Sequence, residues 1–221
     1  DADKVFPGIN AEIISNIDDF IVENEKTARR FIKEILPEKP QASLKLSALN
    51  KFTEATEIPT FLDAAKAGRD MGLMSEAGCP GVADPGAEIV RLAHDANIQV
   101  IPMVGPSSIL LAMMASGMNG QSFTFHGYLP IDKKEKKNEL KNLERISAEK
   151  NQAQIFIETP YRNNKFLEDL VQTLHPITRI CVACDLTLST EFIKTATAAD
   201  WKKIKADLHK RPAIFIIQKD L

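Results

Sequence analysis

The sequence is poor in aromatic residues and cysteines and has no excess of one charge. Aromatic residues make up 6% of its 221 positions, which is sparse for a protein that binds nucleic acid mainly by base stacking. It holds 28 Lys and Arg against 30 Asp and Glu, a net charge of −2, and this balance excludes a global cationic field that attracts nucleic acid. Any RNA contact is therefore expected to be local.

Two further absences concern location. Three cysteines in a chain of this length argue for a reducing compartment, and we expect a cytoplasmic protein. No apolar stretch approaches the roughly 20 residues of a membrane span, and no charged-then-apolar leader opens the sequence. The chain begins with Asp1 rather than Met, so we expect a truncated or processed start.

The remaining composition is that of a globular protein, with 44% hydrophobic residues, and the length predicts two small domains. Short apolar runs alternate with helical periodicity, which is typical of an α/β protein with largely parallel strands. We place the boundary at the turn after Met118, giving domains 1–119 and 120–221. Helices are predicted at 23–36, 61–67, around 89–96, 109–115, 139–146 and 166–174, with a short one around Trp201, and strands at 72–74, 100–104, 122–126, 155–157, 180–184, 192–193 and 213–217.

The cysteine and histidine residues offer no metal site. Cys181 and Cys184 form a single CxxC within an apolar run, so a buried strand is the favoured interpretation over metal or redox chemistry. The four histidines are scattered without ligand spacing: His94, His126, His175 and His209.

The most informative segment is the loop from Ser75 to Gly86, between a predicted strand and a helix. Such connections usually have about 2 to 6 residues, and ligands of open α/β sheets lie beyond the carboxyl ends of the strands. Its glycines permit a close backbone approach to a ligand. The alternative is ordinary loop geometry, with Asp84 capping the next helix and Pro85 as its first residue.

A second segment, Gly105-Pro106-Ser107-Ser108, repeats this arrangement after the next predicted strand. A helix N-terminus there would offer free amides to an anion, although Ser107 or Ser108 as a simple helix cap is an equal alternative. Together the two loops suggest a shared crevice. Neither GxGxxG nor GxxxxGK[ST] occurs, so a ligand without phosphates is favoured, and S-adenosylmethionine fits with its carboxylate, ribose and adenine.

These segments, with Gly127-Tyr128-Leu129-Pro130 and the run from Ile157 to Arg162, resemble the tetrapyrrole methylase family. The likeness runs from about Ile13 to the C-terminus, and it is strongest to the bacterial branch that methylates a ribose 2′-hydroxyl in small-subunit ribosomal RNA. The resemblance implies two α/β domains, each a mostly parallel or mixed sheet flanked by helices, with S-adenosylmethionine in the cleft between them. It also implies a homodimer.

Carried over by position, the resemblance gives the cofactor-binding residues. They are Ser75, Glu76, Gly78, Val82, Ala83, Ser107, Ser108, Glu158, Thr159, Ala183, Pro212 and Ala213. Each has a structural alternative, and for Ala183, Pro212 and Ala213 it is simply a strand or strand-entry position. Glu158 and Arg162 are the candidate catalytic pair, because a ribose hydroxyl would benefit from a base or a polarising cation. His126 and Tyr128 are candidates for the substrate side, although His126 equally suits a partly buried strand position.

Some positions depart from the family. Its first strand and Pro- and Gly-containing turn are poorly matched by Phe6-Pro7-Gly8, so that piece would lie upstream of Asp1. Two basic positions of the ribosomal branch are lost at Glu23-Asn24-Glu25-Lys26 and in the run from Cys184 to Leu188. The lysine cluster 133–137 fits a solvated helix start better than an RNA contact.

Three functions stay open from the sequence. The favoured one is an S-adenosylmethionine-dependent methyltransferase acting on an RNA ribose hydroxyl. The alternatives are a methylase of a tetrapyrrole or other small metabolite, and a non-catalytic protein that binds S-adenosylmethionine.

Overall fold

The computed structural model describes residues 4–220, so Asp1 to Asp3 of the first predicted domain and Leu221 of the second lie outside it. The chain divides into two compact units, Asp1–Ser107 and Ser108–Leu221. The predicted boundary falls after residue 119, whereas this division places helix α5 (Ser108–Ser116) in the second unit. Ala112 and Met113 of α5 pack on the second unit's sheet, which explains the placement.

The elements of the first unit, in chain order, are α1 (Gly8–Ser15), β1 (Asp19–Val22), α2 (Glu25–Ile35), β2 (Lys45–Ala48), a 3-10 turn (Ile58–Leu62), α3 (Asp63–Lys66), β3 (Met71–Met74) and α4 (Ala87–Asp95). Its strands form a parallel sheet in the order β2-β1-β3. Successive residues of β1 point to opposite faces. Phe20 therefore packs in the cluster with α1 and α2, while Ile21 packs in the cluster with α4.

Asn24 fixes the start of α2, because its side-chain Oδ1 accepts hydrogen bonds from the amides of Lys26 (2.9 Å) and Thr27 (3.2 Å). This is the arrangement expected of an N-cap residue. The cap directs α2 away from the carboxyl end of β1, as parallel βαβ connectivity requires.

One predicted strand is wrong. Residues 96–107, all of which the structure describes, contain no strand. Ile101, Met103 and Val104 are 65%, 43% and 73% exposed, and β3 pairs with β1 within residues 4–220 but with no strand on its other side. The apolar run has the right composition for a strand, but it does not pair with the free edge of β3.

The second unit contains, after α5, the elements β4 (Phe123–Tyr128), α6 (Lys133–Lys150), β5 (Ala153–Ile157), α7 (Asn163–Thr173), β6 (Arg179–Cys184), β7 (Phe192–Thr197), α8 (Ala198–Trp201) and β8 (Ala213–Gln218). Its mixed sheet has the order β4-β5-β8-β6-β7, with β4 and β5 parallel and the other pairs antiparallel.

Both faces of the second sheet are covered by helices. Leu140 of α6 and Phe166 of α7 pack with Phe156 and Phe215 on one face, and α5 covers the other face. The predicted fold class, an α/β protein with a parallel or mixed sheet flanked by helices in each half, is therefore confirmed.

Candidate functional site

The loop 75–86 is held against the segment 105–106 by direct backbone contact. A Cβ on Gly78 would lie 2.6 Å from Pro106 Cγ and 2.7 Å from its carbonyl oxygen, and a Cβ on Gly105 would lie 2.4 Å from Gly78 O. The Cys79 thiol donates to Pro106 O over 3.3 Å. The two loops that the sequence singles out are thus adjacent, and only glycine fits at their contact.

Within this loop the backbone takes conformations that non-glycine residues rarely adopt. Gly78 has φ +99°, and Ala83 has φ +61° without being glycine. Such a conformation at a non-glycine residue costs about 1 to 3 kcal/mol and persists only where the surroundings hold it. The loop has the fixed, irregular backbone of a ligand-binding segment.

The helix start predicted at Asp84-Pro85 is wrong. Helix α4 begins at Ala87, with Gly86 as its N-cap at φ +134° and no side-chain cap hydrogen bond. Asp84 instead leaves Oδ2 buried with no hydrogen-bond partner among the described residues. A buried oxygen of this kind is costly unless something pairs with it.

The first residues after β3 connect it to β1 and α2. The Glu76 amide donates to Glu23 Oε1 over 2.6 Å, the Thr27 hydroxyl donates to the Glu76 carboxylate, and the Gly78 amide donates to Ser75 Oγ over 3.0 Å. Glu23 follows β1 directly, so residues beyond two neighbouring parallel strands meet here, as expected of a site at the carboxyl edge of a sheet.

In the second unit, the predicted cofactor residues lie at the carboxyl ends of β5 and β6 and at the start of β8. Because β5 and β6 both run antiparallel to β8, the ends of β5 and β6 flank the start of β8. Ala213 opens β8 opposite Cys184, and Ala183 lies opposite Ile214. Thr159 follows β5, and Pro212 O accepts from the Asp185 amide over 3.0 Å. Residues distant in sequence are thereby brought together.

Glu158 and Arg162 form an ion pair. Arg162 Nη2 donates to Glu158 Oε1 over 2.7 Å, with the glutamate side chain 5% exposed and the arginine side chain 43% exposed. The Thr159 amide donates to the same oxygen over 2.7 Å, and Arg162 Nε is buried without a partner among the described residues. The pairing positions both charged groups at the start of α7.

Sequence reasoning missed a second buried ion pair at the same end of these strands. Asp185 Oδ2 accepts from Arg211 Nε and from the Thr190 hydroxyl, each over 2.7 Å. Burial raises the pKa of Asp185, but the Arg211 guanidinium and the Thr190 hydroxyl outweigh it and hold that pKa below its ordinary value. The pair joins the loop after β6 to the residue preceding Pro212. An Asp directly after a buried strand was the available sequence signal.

The other predicted site residues lie as follows. Val82 is 51% exposed in the loop and Tyr128 is 61% exposed at the end of β4. His126 Nε2 lies 2.7 Å from Gln154 Oε1, and its ring stacks on Phe156 with centroids 5.5 Å apart. Ser107 closes the first unit and Ser108 opens α5.

Two of the three cysteines lie in the second sheet. Cys181 and Cys184 are buried in β6, and burial raises the pKa of both thiols. Within residues 4–220, no group of three or more His, Cys, Asp or Glu side chains could hold a metal ion. The helices of that range include none long and apolar enough to cross a membrane.

A scan against models of protein families finds no match. The solved structure of the methyltransferase CobJ is similar at a TM-score of 0.63 and 16% identity, with 98% of this chain and 89% of that chain covered. This likeness shows that the chain has the fold of that methyltransferase.

Curated relatives give the family. The ribosomal RNA small subunit methyltransferase I of Xylella fastidiosa is 31% identical over 93% of this chain and 72% of its own length. That of Vibrio cholerae is 28% identical over 86% and 62% respectively. The chain therefore belongs to the ribosomal RNA small subunit methyltransferase I family. It spans about three fifths of the length of several relatives it matches.

Proposed function

We propose that this protein is an S-adenosylmethionine-dependent methyltransferase that acts on a ribose hydroxyl of small-subunit ribosomal RNA. The observation that carries the proposal is the relationship to ribosomal RNA methyltransferases across 93% of the chain. Membership of this family favours it over the methylation of a small metabolite and over simple cofactor binding.

The residues of both units suit the cofactor. Gly78 and Gly105 let the two loops pack backbone to backbone, and the small side chains of Ala183 and Ala213 lie on neighbouring strands. We propose that S-adenosylmethionine is held by Ser75, Glu76, Gly78, Val82, Ala83, Ser107, Ser108, Thr159, Ala183, Pro212 and Ala213. When bound, the cofactor supplies an activated methyl group on a sulfonium.

The protein's own part is to align the acceptor and to exclude water. We propose Glu158 and Arg162 as the charged pair beside the reacting hydroxyl, and His126 and Tyr128 as residues of the substrate side. The Thr159 amide and Arg162 Nη2 both bind Glu158 Oε1, so this carboxylate is fixed before any substrate arrives. Fixed orientation of this kind is what a transfer reaction needs.

The proposal is tested by transfer of a labelled methyl group from S-adenosylmethionine to small ribosomal subunits of a methylation-deficient bacterium. Label in a ribose 2′-O-methyl nucleotide supports it, and cofactor binding without label in RNA contradicts it. We expect Glu158→Gln and Arg162→Lys each to lower kcat at least tenfold while the cofactor Kd stays within twofold. Unchanged turnover in both variants would remove the pair from the reaction.

We also propose a cytoplasmic homodimer, as the family resemblance implies. The small number of cysteines, three in 221 residues, and the ribosomal substrate support the location. Light scattering coupled to gel filtration checks the dimer, and a mass of about 24.5 kDa, the mass of one chain, contradicts it.

A further inference from the structure

A depression of about 480 Å³ lies at the carboxyl edge of the parallel sheet in the first unit. The segments that follow all three strands line it: Glu23 and Asn24 after β1, Asn50 to Phe52 after β2, and Glu76 after β3. Ligands of open α/β sheets bind outside the carboxyl ends of the strands. The place of this depression in the fold is thus that of a ligand site.

Phe52 is the unusual member of the lining, because its side chain is 80% exposed. The amide of Phe52 donates to Asn50 Oδ1 over 3.0 Å, and Asn50 Nδ2 donates to Glu23 O over 3.1 Å. The Thr53 hydroxyl donates to Ala48 O over 2.9 Å and accepts from the Asn50 amide over 2.9 Å. The ring is therefore exposed to solvent on a loop whose backbone is held in place by hydrogen bonds.

The charges around the ring select the chemistry of a ligand. Glu23 and Glu76 place two carboxylates in the depression, and carboxylates accept hydrogen bonds but repel phosphate. Lys51 Nζ lies over the Phe52 ring, 4.9 Å from its centroid, which puts a cation against one face of the ring and leaves stacking to the other face. A flat ring that carries N–H donors suits the carboxylates, and a backbone phosphate suits the lysine.

We propose that this depression binds an amino-bearing nucleobase of single-stranded RNA, stacked on Phe52 with its exocyclic amino group donating to the Glu23 carboxylate. Base stacking on an exposed aromatic side chain is the usual way in which proteins hold unpaired RNA bases. The inference rests on the proposed function and names a base-binding position of the same RNA substrate.

The central experiment compares Phe52→Ala with the native protein in methyl transfer to small ribosomal subunits. We expect KM for the subunits to rise roughly tenfold, the usual scale for one lost stacking contact, while the Kd for S-adenosylmethionine stays within twofold. Because Phe52 is so exposed, this variant should fold normally, and a melting curve checks it. Ile177→Ala is the matched control, since Ile177 is 60% exposed in the other unit, and it should leave KM unchanged.

Two further variants separate stacking from general apolar contact. Phe52→Trp should keep the native KM, because indole also stacks, whereas Phe52→Leu should behave like Phe52→Ala. Equal KM values for the leucine variant and the native protein overturn a stacked base. If Phe52→Ala lowers the mass of the protein in solution but leaves KM unchanged, the surface joins two copies of the chain, and the inference is wrong.

The amino group is tested with cytidine and uridine hexaribonucleotides, because cytosine carries an amino group where uracil carries an oxygen. We expect the native protein with S-adenosylmethionine to bind the cytidine hexamer at least fivefold more tightly by fluorescence anisotropy. Glu23→Gln should bring that ratio close to one. A native protein without preference for the cytidine hexamer overturns the inference.

These outcomes are distinct from failure of the proposed function. A native protein that neither binds S-adenosylmethionine nor methylates subunits contradicts the proposed function itself. A native protein that does both, with a Phe52→Ala variant of unchanged KM, contradicts the base-binding position alone.

Discussion

At the scale of single residues, the contact between Gly78 and Gly105 sets the geometry of the candidate site. The two backbones approach so closely that neither position leaves space for a side chain. The sequence predicts that the two loops share a crevice, but it does not show that Gly78 contacts Gly105 and Pro106. That contact depends on tertiary structure.

Gly78→Ala should destabilise the protein by about 3 kcal/mol, because it combines a strained left-handed backbone with a Cβ pressed against Pro106. Gly68→Ala is its control, since Gly68 also has positive φ, +79°, but nothing lies within 4 Å of its Cβ position. It should cost about 1 kcal/mol. Urea unfolding measures both free energies, and equal losses would show that crowding by Pro106 is unimportant.

Asp185 offers a prediction with a defined pH dependence. Its pKa is lowered in the folded protein, so the ion pair with Arg211 stabilises the fold above the unfolded-state pKa of about 3.9, and that stabilisation is lost as pH falls through the folded-state pKa. Asp185→Asn should therefore reduce the free energy of unfolding by about 2 kcal/mol at pH 7.

At pH 3 the difference between native protein and Asp185→Asn should be smaller than at pH 7, because Asp185 is then largely protonated in the unfolded protein, where its pKa is about 3.9. Urea unfolding at both values measures it. Asp220→Asn is a suitable comparison, since Asp220 pairs with Arg179 over 2.7 Å but is 60% exposed, and exposed pairs contribute little. A difference for Asp185→Asn that is the same at both pH values would contradict the ion-pair account.

At the scale of elements, sequence periodicity predicts the second unit better than the first. The apolar runs that form β5, β6 and β8 are buried on both faces of the sheet. Such runs are easily recognised in a sequence. In contrast, α1, β1 and β2 were not predicted. Each strand of the first unit has four residues, too few to show a reliable period.

The extent of α6 shows why helix length is hard to predict. The sequence predicts a helix at 139–146, but the structure extends it over Lys133–Lys150. Its first turn is stabilised by Asp132, whose Oδ1 accepts from the amides of Lys134 and Glu135, each over 2.9 Å. Lys136 is buried against Asp169 and Phe166, a tertiary contact that the charge pattern alone conceals.

Asp132→Ala should lower the free energy of unfolding by about 1 kcal/mol, the usual cost of losing a helix cap. Asp132→Asn should retain most of it, since an amide oxygen also accepts from the first-turn amides. Urea denaturation followed by circular dichroism compares the three proteins, and equal losses for alanine and asparagine would place the effect in the charge instead of the hydrogen bond.

At the scale of the whole molecule, the thiols report separately on the two units. Cys79 is partly exposed in the first unit, whereas Cys181 and Cys184 are buried in the second. Burial raises the pKa of both buried thiols, and thiols react as thiolates. We expect one thiol to react with a disulfide reagent in the native protein at pH 7.5 and all three in denaturant. Mass spectrometry of the labelled peptides checks this, and labelling of Cys181 without denaturant would contradict the packing of β6.

Among the described residues β3 has no strand on one side, and this has a practical consequence for handling the protein. A strand edge without a neighbour exposes backbone donors and acceptors, and the apolar residues Ile101, Met103 and Val104 are exposed in the same unit. Edges of this kind are templates for intermolecular pairing. Concentrated solutions of this chain should therefore become turbid on storage, more slowly when a lysine replaces Val104.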